Sequence, residues 1–404
     1  MSFQQALSGL NAASRSLDVI GNNIANAGTT GMKSSRAEFS EIYASSVGAI
    51  GGTNVGLGVD VGAVSQQFSQ GTLSITSNDL DVAVNGSGFF QVQAPDGTKQ
   101  YTRAGNFKLD KSGNIITNTG AALMGYPTDA KGVRQSFDMQ GLRLPTGAPI
   151  PARQTTKMAA EVTLDSSAVV ASSATPPTPL QTYGTSLTAF DAQGLEIPVG
   201  LYFTKTANNS WEVRTSVNGS DPAASTPIPI NFMADGSLDP ATPMPTLTLA
   251  SPNDPAQTFP VTLDLSNMTQ VNARFAVSDL TQDGYTAGQL TGLKIEDSGI
   301  LTATYSNGQT QAAGQIALVN FRNAQGLAPV GSGNWVETAS SGQPVRGAPG
   351  EGTFGQLRAG ALEESNVDLT AELVNMMTTQ RAYQANAQTI KTQDQVMQTL
   401  VNMR

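Results

Sequence analysis

Two short stretches of the sequence contain residue types that could bind a ligand. Residues 56–62 read Gly-Leu-Gly-Val-Asp-Val-Gly and superficially resemble a phosphate-binding glycine loop. Their spacing differs from that of such loops, and no strand–helix–strand pattern surrounds them. Asp235 and Asp239 flank Gly236 and Ser237, as acidic residues do in a calcium loop. This stretch has too few ligands for calcium, so the sequence predicts an ordinary Asp-Gly turn there.

The composition excludes most catalytic chemistry. The chain has 404 residues and contains no histidine and no cysteine. It therefore has no Cys/His zinc site, no Ser–His or Cys–His nucleophile pair, no disulfide and no histidine acid–base catalyst. Glycoside hydrolysis would need paired carboxylates, and no Asp/Glu pair stands out as a candidate. The sequence predicts a protein that is not an enzyme and that needs no metal or cofactor.

Charged residues are sparse. They make up 13% of the chain, about half the usual quarter, and the net charge is −9. No basic run is present, which argues against a nucleic-acid partner. No long apolar stretch predicts a membrane span, and residues 2–27 lack the charge pattern of a secretory signal. Only Arg15 and Asp18 are charged in that segment, which excludes a basic amphipathic membrane helix.

Residues 368–404 are predicted to form one long helix. They contain neither glycine nor proline, and an S-x-x-D helix-start pattern, Ser365 to Asp368, precedes them. A helix of this length would extend roughly 55 Å. Its stripe repeats at alternating steps of four and three, with Gln380 and Asp394 as polar interruptions. The stripe consists of Leu369, Leu373, Met376, Gln380, Tyr383, Ala387, Ile390, Asp394, Met397 and Val401.

Residues 2–27 have the same periodicity and form the expected partner of the last helix. The asparagines at 22, 23 and 26 and Gly28 end the periodic stretch. Two interpretations are open: ordinary amphipathic helices on a globular body, or a terminal helical module that polymerises, which we favour. The stripe of the first helix consists of Ala6, Leu10, Ala13, Leu17, Ile20 and Ile24.

The region between the helices is predicted to be mainly β and to contain nested domains. Sixteen of the 21 prolines lie between Pro145 and Pro260, which indicates a separate domain with short strands and many turns. The predicted organisation is a terminal helical domain (1–30 and 363–404), a flexible connector (31–71), an inner β domain (72–144 and 277–362) and an outer β insert (145–276). Glycine-rich segments at 27–71 and 331–360 are predicted hinges.

Several motifs of the sequence resemble those of the bacterial flagellar rod and hook proteins. Residues 17–33, Leu-Asp-Val-Ile-Gly-Asn-Asn-Ile-Ala-Asn-Ala-Gly-Thr-Thr-Gly-Met-Lys, resemble the amino-terminal signature of that family, and residues 365–374 and 380–394 resemble its carboxy-terminal signature. Together with Gly-Ser-Gly-Phe-Phe at 86–90, they are similar to the hook members in particular. Met32 replaces the aromatic residue usual in the first motif. The positions carried over from the motifs are Asn22, Asn23, Asn26, Thr30, Gly31, Asn366 and Asp368.

The resemblance implies a structural subunit of the extracellular flagellar hook and basal body. Such subunits polymerise through their terminal helices into a curved tube that transmits motor torque to the filament as a flexible universal joint. The implied partners are other copies of the chain, rod and hook–filament junction proteins, the hook cap, and the type III export apparatus, which exports the chain without a cleavable signal peptide. Alternatives are another axial component, such as a distal rod protein, or a secreted β-rich adhesin or carbohydrate-active protein.

Overall fold

The structure is a computed structural model that describes residues 2–42, 58–145, 149–172, 178–242 and 244–402. It is mainly β, with helix α1 (Ser2–Ala25) near the start of the chain and helix α2 (Leu369–Asn402) near its end. The two helices pack together, which confirms the predicted fold class. Within the described residues, no helix combines the length and the apolar character that a membrane span requires.

A β-hairpin lies in the segment for which the sequence predicted a flexible connector. Strands β1 (Ser35–Ile42) and β2 (Gly58–Gln66) are antiparallel and pack on α1. The period-two alternation of Val59, Asp60 and Val61 was the signal for β2, but it lies among glycines typical of a loop. Of the glycine stretch considered for phosphate binding, residues 58–62 belong to β2, and residues 56–57 lie outside the described residues.

The remaining strands follow in chain order. The first group is β3 (Leu73–Ile75), β4 (Val82–Asn85), β5 (Phe89–Gln93), β6 (Lys99–Thr102), β7 (Lys108–Leu109), β8 (Ile115–Ile116), β9 (Ala122–Tyr126) and β10 (Gln140–Gly141). The second group is β11 (Lys157–Asp165), β12 (Tyr183–Phe190), β13 (Glu196–Ala207), β14 (Ser210–Val217), β15 (Ile228–Asn231), β16 (Thr246–Ala250), β17 (Thr258–Asp264), β18 (Thr269–Val271) and β19 (Ala276–Gln282). The third group is β20 (Leu290–Ile295), β21 (Ile300–Tyr305), β22 (Thr310–Ile316), β23 (Leu318–Asn320), β24 (Ala328–Gly331), β25 (Asn334–Val336), β26 (Val345–Gly347), β27 (Gln356–Ala359) and β28 (Ala361–Glu363). Short 3-10 turns lie at Pro222–Ala224 and Ala324–Gly326.

The first compact unit joins residues from both ends of the chain. It comprises Met1–Gly147, Gly292–Thr304 and Thr310–Arg404. Its main sheet combines early strands, such as β5, β6 and β9, with late strands, such as β22, β23 and β25. Two further antiparallel pairs, β4 with β27 and β3 with β28, bring the chain back beside its own early part just before α2 begins. The core includes Val82, Phe90, Leu123, Leu301 and Leu318.

The second compact unit is a β-sandwich formed by the middle of the chain. It comprises Ala148–Thr291 and Tyr305–Gln309. One sheet contains β12 to β15, the other contains β11 and β16 to β19, and both contribute to one core that includes Met158, Val199 and Trp211. The sequence placed the end of this domain at residue 276, but β19 extends beyond that residue and pairs antiparallel with β11. Since this pairing joins residues far apart in the chain, the drop in proline content did not mark the boundary.

Three turns of the second unit have the same Asp-x-Ser hydrogen bonds. The Oδ1 atom of Asp235 accepts hydrogen bonds from the backbone N–H of Ser237 at 3.0 Å and from its hydroxyl at 2.6 Å. Asp165 and Asp264 bind the serine two residues later in the same way. The carboxylate considered for calcium therefore closes a turn, and the described residues contain no group of three or more acidic side chains that could hold a metal ion.

These turns predict that the chain loses stability in acid. Hydrogen bonds from the serine side chain, and then from its backbone N–H, lower the pKa of Asp165, Asp235 and Asp264 below the ordinary value of 3.8. A carboxylate with a lowered pKa in the folded state stabilises the fold above its ordinary pKa, and that contribution is lost as the pH falls through the folded pKa. We expect the melting temperature to vary little between about pH 5 and pH 7 and to fall below about pH 4, as thermal scans at a series of pH values would measure.

Ser237→Ala is the matched variant for this prediction. It removes one of the hydrogen bonds to Asp235 while keeping the turn sequence, so the acid-induced loss should become smaller than in the unmodified chain. A melting temperature that stays constant down to about pH 2 in both proteins would contradict the prediction.

Candidate functional site: the terminal helices and their base

Helices α1 and α2 run antiparallel and are held together by two close contacts. The Nδ2 atom of Asn23 donates a hydrogen bond to Oε1 of Glu372 at 2.9 Å, near the end of α1 and the start of α2. At the other end of the pair, a Cβ atom added to Gly9 would lie 2.8 Å from Nδ2 of Asn386. The absence of a side chain at Gly9 therefore lets the helices approach closely, and the two contacts set their register.

The predicted stripe of α1 faces the rest of the unit. Ile20 is buried, and Leu10, Leu17 and Ile24 are half-buried. The alanines at positions 6, 12 and 13 are also buried, which is expected where a neighbouring element packs closely on small side chains. Within the single chain, α1 therefore buries most of its apolar face.

The predicted stripe of α2 is only partly covered. Met376, Ala387 and Ile390 are half-buried. Leu369, Leu373 and Tyr383 are exposed, and Leu373 has 51% of its surface accessible. Burial therefore varies along the stripe, and accessible apolar positions lie both in the first turns, at Leu369 and Leu373, and at the centre, at Tyr383.

The last turns of α2 extend beyond α1. α1 has 24 residues and α2 has 34, and the contact of Gly9 with Asn386 places the start of α1 near residue 393. Residues 394–402 therefore continue past α1 for roughly 13 Å at 1.5 Å per residue. Met397 and Val401 lie on this extension with 55% and 71% of their surface accessible. They continue the helical face that α1 covers on the part of α2 before residue 394, and no other described element covers them.

The motif residues near the end of α1 tie the helix to the chain that follows it. Asn23 is buried, accepts a hydrogen bond from the backbone N–H of Ser35 at 2.9 Å, and donates one to the carbonyl of Ser35 at 2.7 Å. Asn26 donates from its side chain to the carbonyl of Asn22 at 2.9 Å and so supports the last turn. Thr30 is half-buried, while Asn22 is exposed. These residues make local contacts that end α1 and lead into β1.

Gly31 occupies a position that requires glycine. Its φ of +69° lies in the left-handed region, and an added Cβ would lie 2.5 Å from the backbone nitrogen of Ala104. Its N–H donates a hydrogen bond to the carbonyl of Glu363 at 2.7 Å. The backbone at Gly31 is thus pressed between two other segments of the chain.

The motif residues before α2 begin the helix and bind the amino-terminal segment. Oδ1 of Asp368 accepts hydrogen bonds from the N–H groups of Thr370 at 2.9 Å and Ala371 at 3.1 Å, so Asp368 is the N-cap of α2. Asn366 accepts a hydrogen bond from the N–H of Ser34 at 2.7 Å and donates one to the carbonyl of Gln67 at 2.7 Å. Asn366 therefore joins the start of α2 to both sides of the β1–β2 hairpin.

A buried cluster of three charged residues lies beneath the two helices, and we call Lys33, Arg103 and Glu363 the charge cluster. Lys33 Nζ lies 2.6 Å from Oε1 of Glu363, and a guanidinium nitrogen of Arg103 lies 3.1 Å from Oε2. The side chains of Lys33 and Glu363 are fully inaccessible. Burial lowers the pKa of Lys33, while the hydrogen bond and the charge of Glu363 oppose that shift.

The sequence analysis missed the charge cluster. Lys33 closes the amino-terminal motif, but Arg103 and Glu363 lie outside the motif positions that were carried over. The available signal was the low share of charged residues, which is 13% of the chain. In such a chain, a charged residue in or beside a structural motif is a candidate for a specific contact. Their spacing of 330 residues, from Lys33 to Glu363, concealed the contact.

Family models match four parts of the chain. The model described as flagella basal body rod protein matches residues 3–33, and the flagellar hook protein FlgE/F/G D1 domain matches residues 83–170. The flagellar basal body protein FlaE D2 domain matches residues 163–285, and the flagellar basal body rod FlgEFG protein C-terminal model matches residues 358–403. The rod protein match covers α1 from Phe3 onward, and the C-terminal match includes all of α2.

Curated relatives match the chain over its full length. It is 43% identical to the flagellar hook protein FlgE of Escherichia coli K12 and 41% identical to that of Salmonella typhimurium, with 100% of each chain covered. It is 32% identical to FlgE of Treponema pallidum, over 100% of this chain and 99% of the relative. The crystal structure of Helicobacter pylori flagellar hook protein FlgE2 has the same fold, with a TM-score of 0.55 and 14% identity, over 72% of this chain and 100% of that one. The terminal motifs of the chain, its β domains and its identity to the curated hook proteins along the whole length show that it belongs to the flagellar hook protein FlgE family.

Proposed function

We propose that this chain is a structural subunit of the bacterial flagellar hook, in the extracellular part of the flagellum. It polymerises through α1 and α2 into a curved tube that transmits motor torque to the filament as a flexible universal joint. Full-length identity to hook proteins supports the role as a hook subunit. The observation that carries the mode of assembly is the exposed part of the α2 stripe.

The exposed stripe needs a partner outside the single chain. Leu369, Leu373, Met397 and Val401 present apolar surface at both ends of α2. Leu369 and Leu373 are exposed beside the end of α1, and Met397 and Val401 lie beyond the start of α1 in the register that Gly9 and Asn23 set. A helix draws most of its stability from packing an apolar face. Large exposed apolar surfaces on soluble proteins usually mark interaction sites. Other copies of the chain are the partner that a hook subunit requires.

The β units supply the bulk of each subunit in this proposal. The second unit has its own core and serves as the outer module, as the sequence analysis expected for the insert. Only 13% of all residues are charged, so contacts between neighbouring β units involve few ion pairs with strict geometry. Weak contacts of this kind can change as the tube bends, while the helices stay engaged.

Contacts with other flagellar components complete the proposal. The subunit meets rod proteins at one end of the hook and junction proteins at the other. During assembly it meets the hook cap and the type III export apparatus, which delivers it without cleavage of a signal peptide. The matches of both chain ends to basal body rod models support a shared mode of assembly with the rod.

Electron microscopy of the purified chain tests the proposal. At high protein concentration we expect hollow tubes of uniform diameter, because each subunit can bury its exposed α2 stripe only against another subunit. Sedimentation should show a critical concentration below which the chain stays monomeric. Dispersed monomers or irregular aggregates at every concentration would contradict the proposal.

A further inference from the structure

Glu363 binds three separate segments of the chain at once. Its Oε1 atom accepts hydrogen bonds from Nζ of Lys33 at 2.6 Å and from the N–H of Gly71 at 3.0 Å. Its Oε2 atom accepts one from Arg103 at 3.1 Å, and its carbonyl accepts one from Gly31 at 2.7 Å. One residue thus holds the chain after α1, the chain after the β1–β2 hairpin and the β body together.

The charge balance makes Glu363 difficult to replace. Lys33 and Arg103 are both cations, and Glu363 is the one carboxylate that they contact among the described residues. The other contacts of these cations are with neutral groups: Lys33 also donates to the carbonyl of Ser69, and Arg103 donates to the carbonyl of Gly86 and lies 5.2 Å from the ring centroid of Phe89. The buried Nε of Arg103 has no hydrogen-bond partner within the part of the chain that the structure describes. Without the carboxylate, two buried cations would lose their counter-charge, which is strongly unfavourable.

The charge cluster lies close in sequence to the end of α1 and to the start of α2. Glu363 ends β28, a few residues before the N-cap Asp368, and Lys33 lies a few residues after the end of α1. The contacts of Asn366 with Ser34 and of Asn23 with Glu372 continue from the cluster along the helix pair. The orientation of α1 and α2 on the β body therefore depends on this group of contacts. The hydrogen bonds of Gly31 and Lys33 to Glu363, and of Ser34 to Asn366, also argue against a hinge at residues 31–34.

We infer that Glu363 is a positioning residue for assembly. It fixes the end of α1 and the start of α2 in the arrangement that subunits need to polymerise. This inference rests on the proposed function. Because Lys33 and Glu363 are 330 residues apart, the arrangement forms only when both ends of the chain are present and folded. The charge cluster therefore couples the placement of α1 on the β body to the placement of α2.

Glu363→Gln tests the inference, because it removes the charge and keeps the shape of the side chain. We expect unchanged β content by circular dichroism, and amide hydrogen exchange in α1 and α2 of the monomer that is faster by at least about 100-fold, as for the loss of one partner of a buried ion pair. The critical concentration for tubes should rise by a similar factor. Glu38→Gln is the matched control, since Glu38 pairs with Arg36 at 2.9 Å on the surface and its loss should change neither measurement.

Two further variants keep the test decisive. If Glu363→Gln fails to fold, Glu363→Asp keeps the charge on a shorter side chain and should still weaken both contacts. The triple variant Lys33→Met, Arg103→Met and Glu363→Met replaces all the charges with apolar groups and should restore slow helix exchange. Unmodified helix exchange in Glu363→Gln and Glu363→Asp would overturn the inference, even if the unmodified chain forms no tubes and the proposed function fails. Tubes at the unmodified critical concentration in both variants would also overturn it.

Discussion

Leu373→Asp is expected to abolish tube formation while the single chain keeps its fold. Leu373 lies on α2 with 51% of its surface accessible, so the substitution removes little packing within the chain. In the tube this position is expected to be buried against a neighbouring copy. An uncompensated buried charge there costs on the order of 3–5 kcal/mol, and the cost recurs in every subunit. Electron microscopy for tubes and circular dichroism for β content measure the two parts of this result.

Two comparison variants separate assembly from folding. Gln388→Glu also adds a negative charge to an exposed position of α2, but it lies off the apolar stripe, so tubes should form normally. Leu10→Asp places the charge in a half-buried position of α1 and should weaken both the helix pair and the tube. Normal tubes from Leu373→Asp would mean that this part of α2 does not hold subunits together.

A chain that lacks most of the second unit is expected to fold and to form tubes. Ile150 and Gly288 form the pair at which the chain enters and leaves this unit, with reciprocal backbone hydrogen bonds of 2.8 and 3.2 Å. Residues 151–287 can therefore be replaced by a two-residue Asn-Gly turn, which closes an antiparallel hairpin at such a pair. The first unit keeps its own core, and stability is local to cooperative units.

Removing residues 151–287 is expected to change the stability of the first unit little and the surface of the tube strongly. The free energy of unfolding of the first unit should change by about 1 kcal/mol or less, because distant sites contribute nearly independently. The tubes should lose their outer density and bend less regularly. Residues 149–291 expressed alone are the control and should unfold in one cooperative transition. A shortened chain that is insoluble or unfolded would show that the two units depend on each other for folding.

Local signals in the sequence predicted most of the individual elements. The absence of glycine and proline after Asp368, together with the S-x-x-D pattern before it, predicted α2, and the structure shows that Asp368 is the capping residue. The mainly β fold with helical ends, which the sequence also predicted, is confirmed. In each case, residues close in sequence determine backbone conformation or capping, so the signal is present in a short stretch. The β1–β2 hairpin was missed because its glycines resemble those of a loop.

The sequence by itself predicted an apolar stripe on α1 and another on α2, since helical periodicity follows from spacing alone. It also excluded histidine and cysteine chemistry. Tertiary structure alone decided how much of the α2 stripe remains exposed, because the register depends on the close approach of Gly9 to Asn386. It alone decided that Lys33 and Arg103 share the carboxylate of Glu363, and that β27 pairs with β4. Such contacts join residues hundreds of positions apart, and no local pattern records them, because burial and charge pairing arise only when distant segments meet.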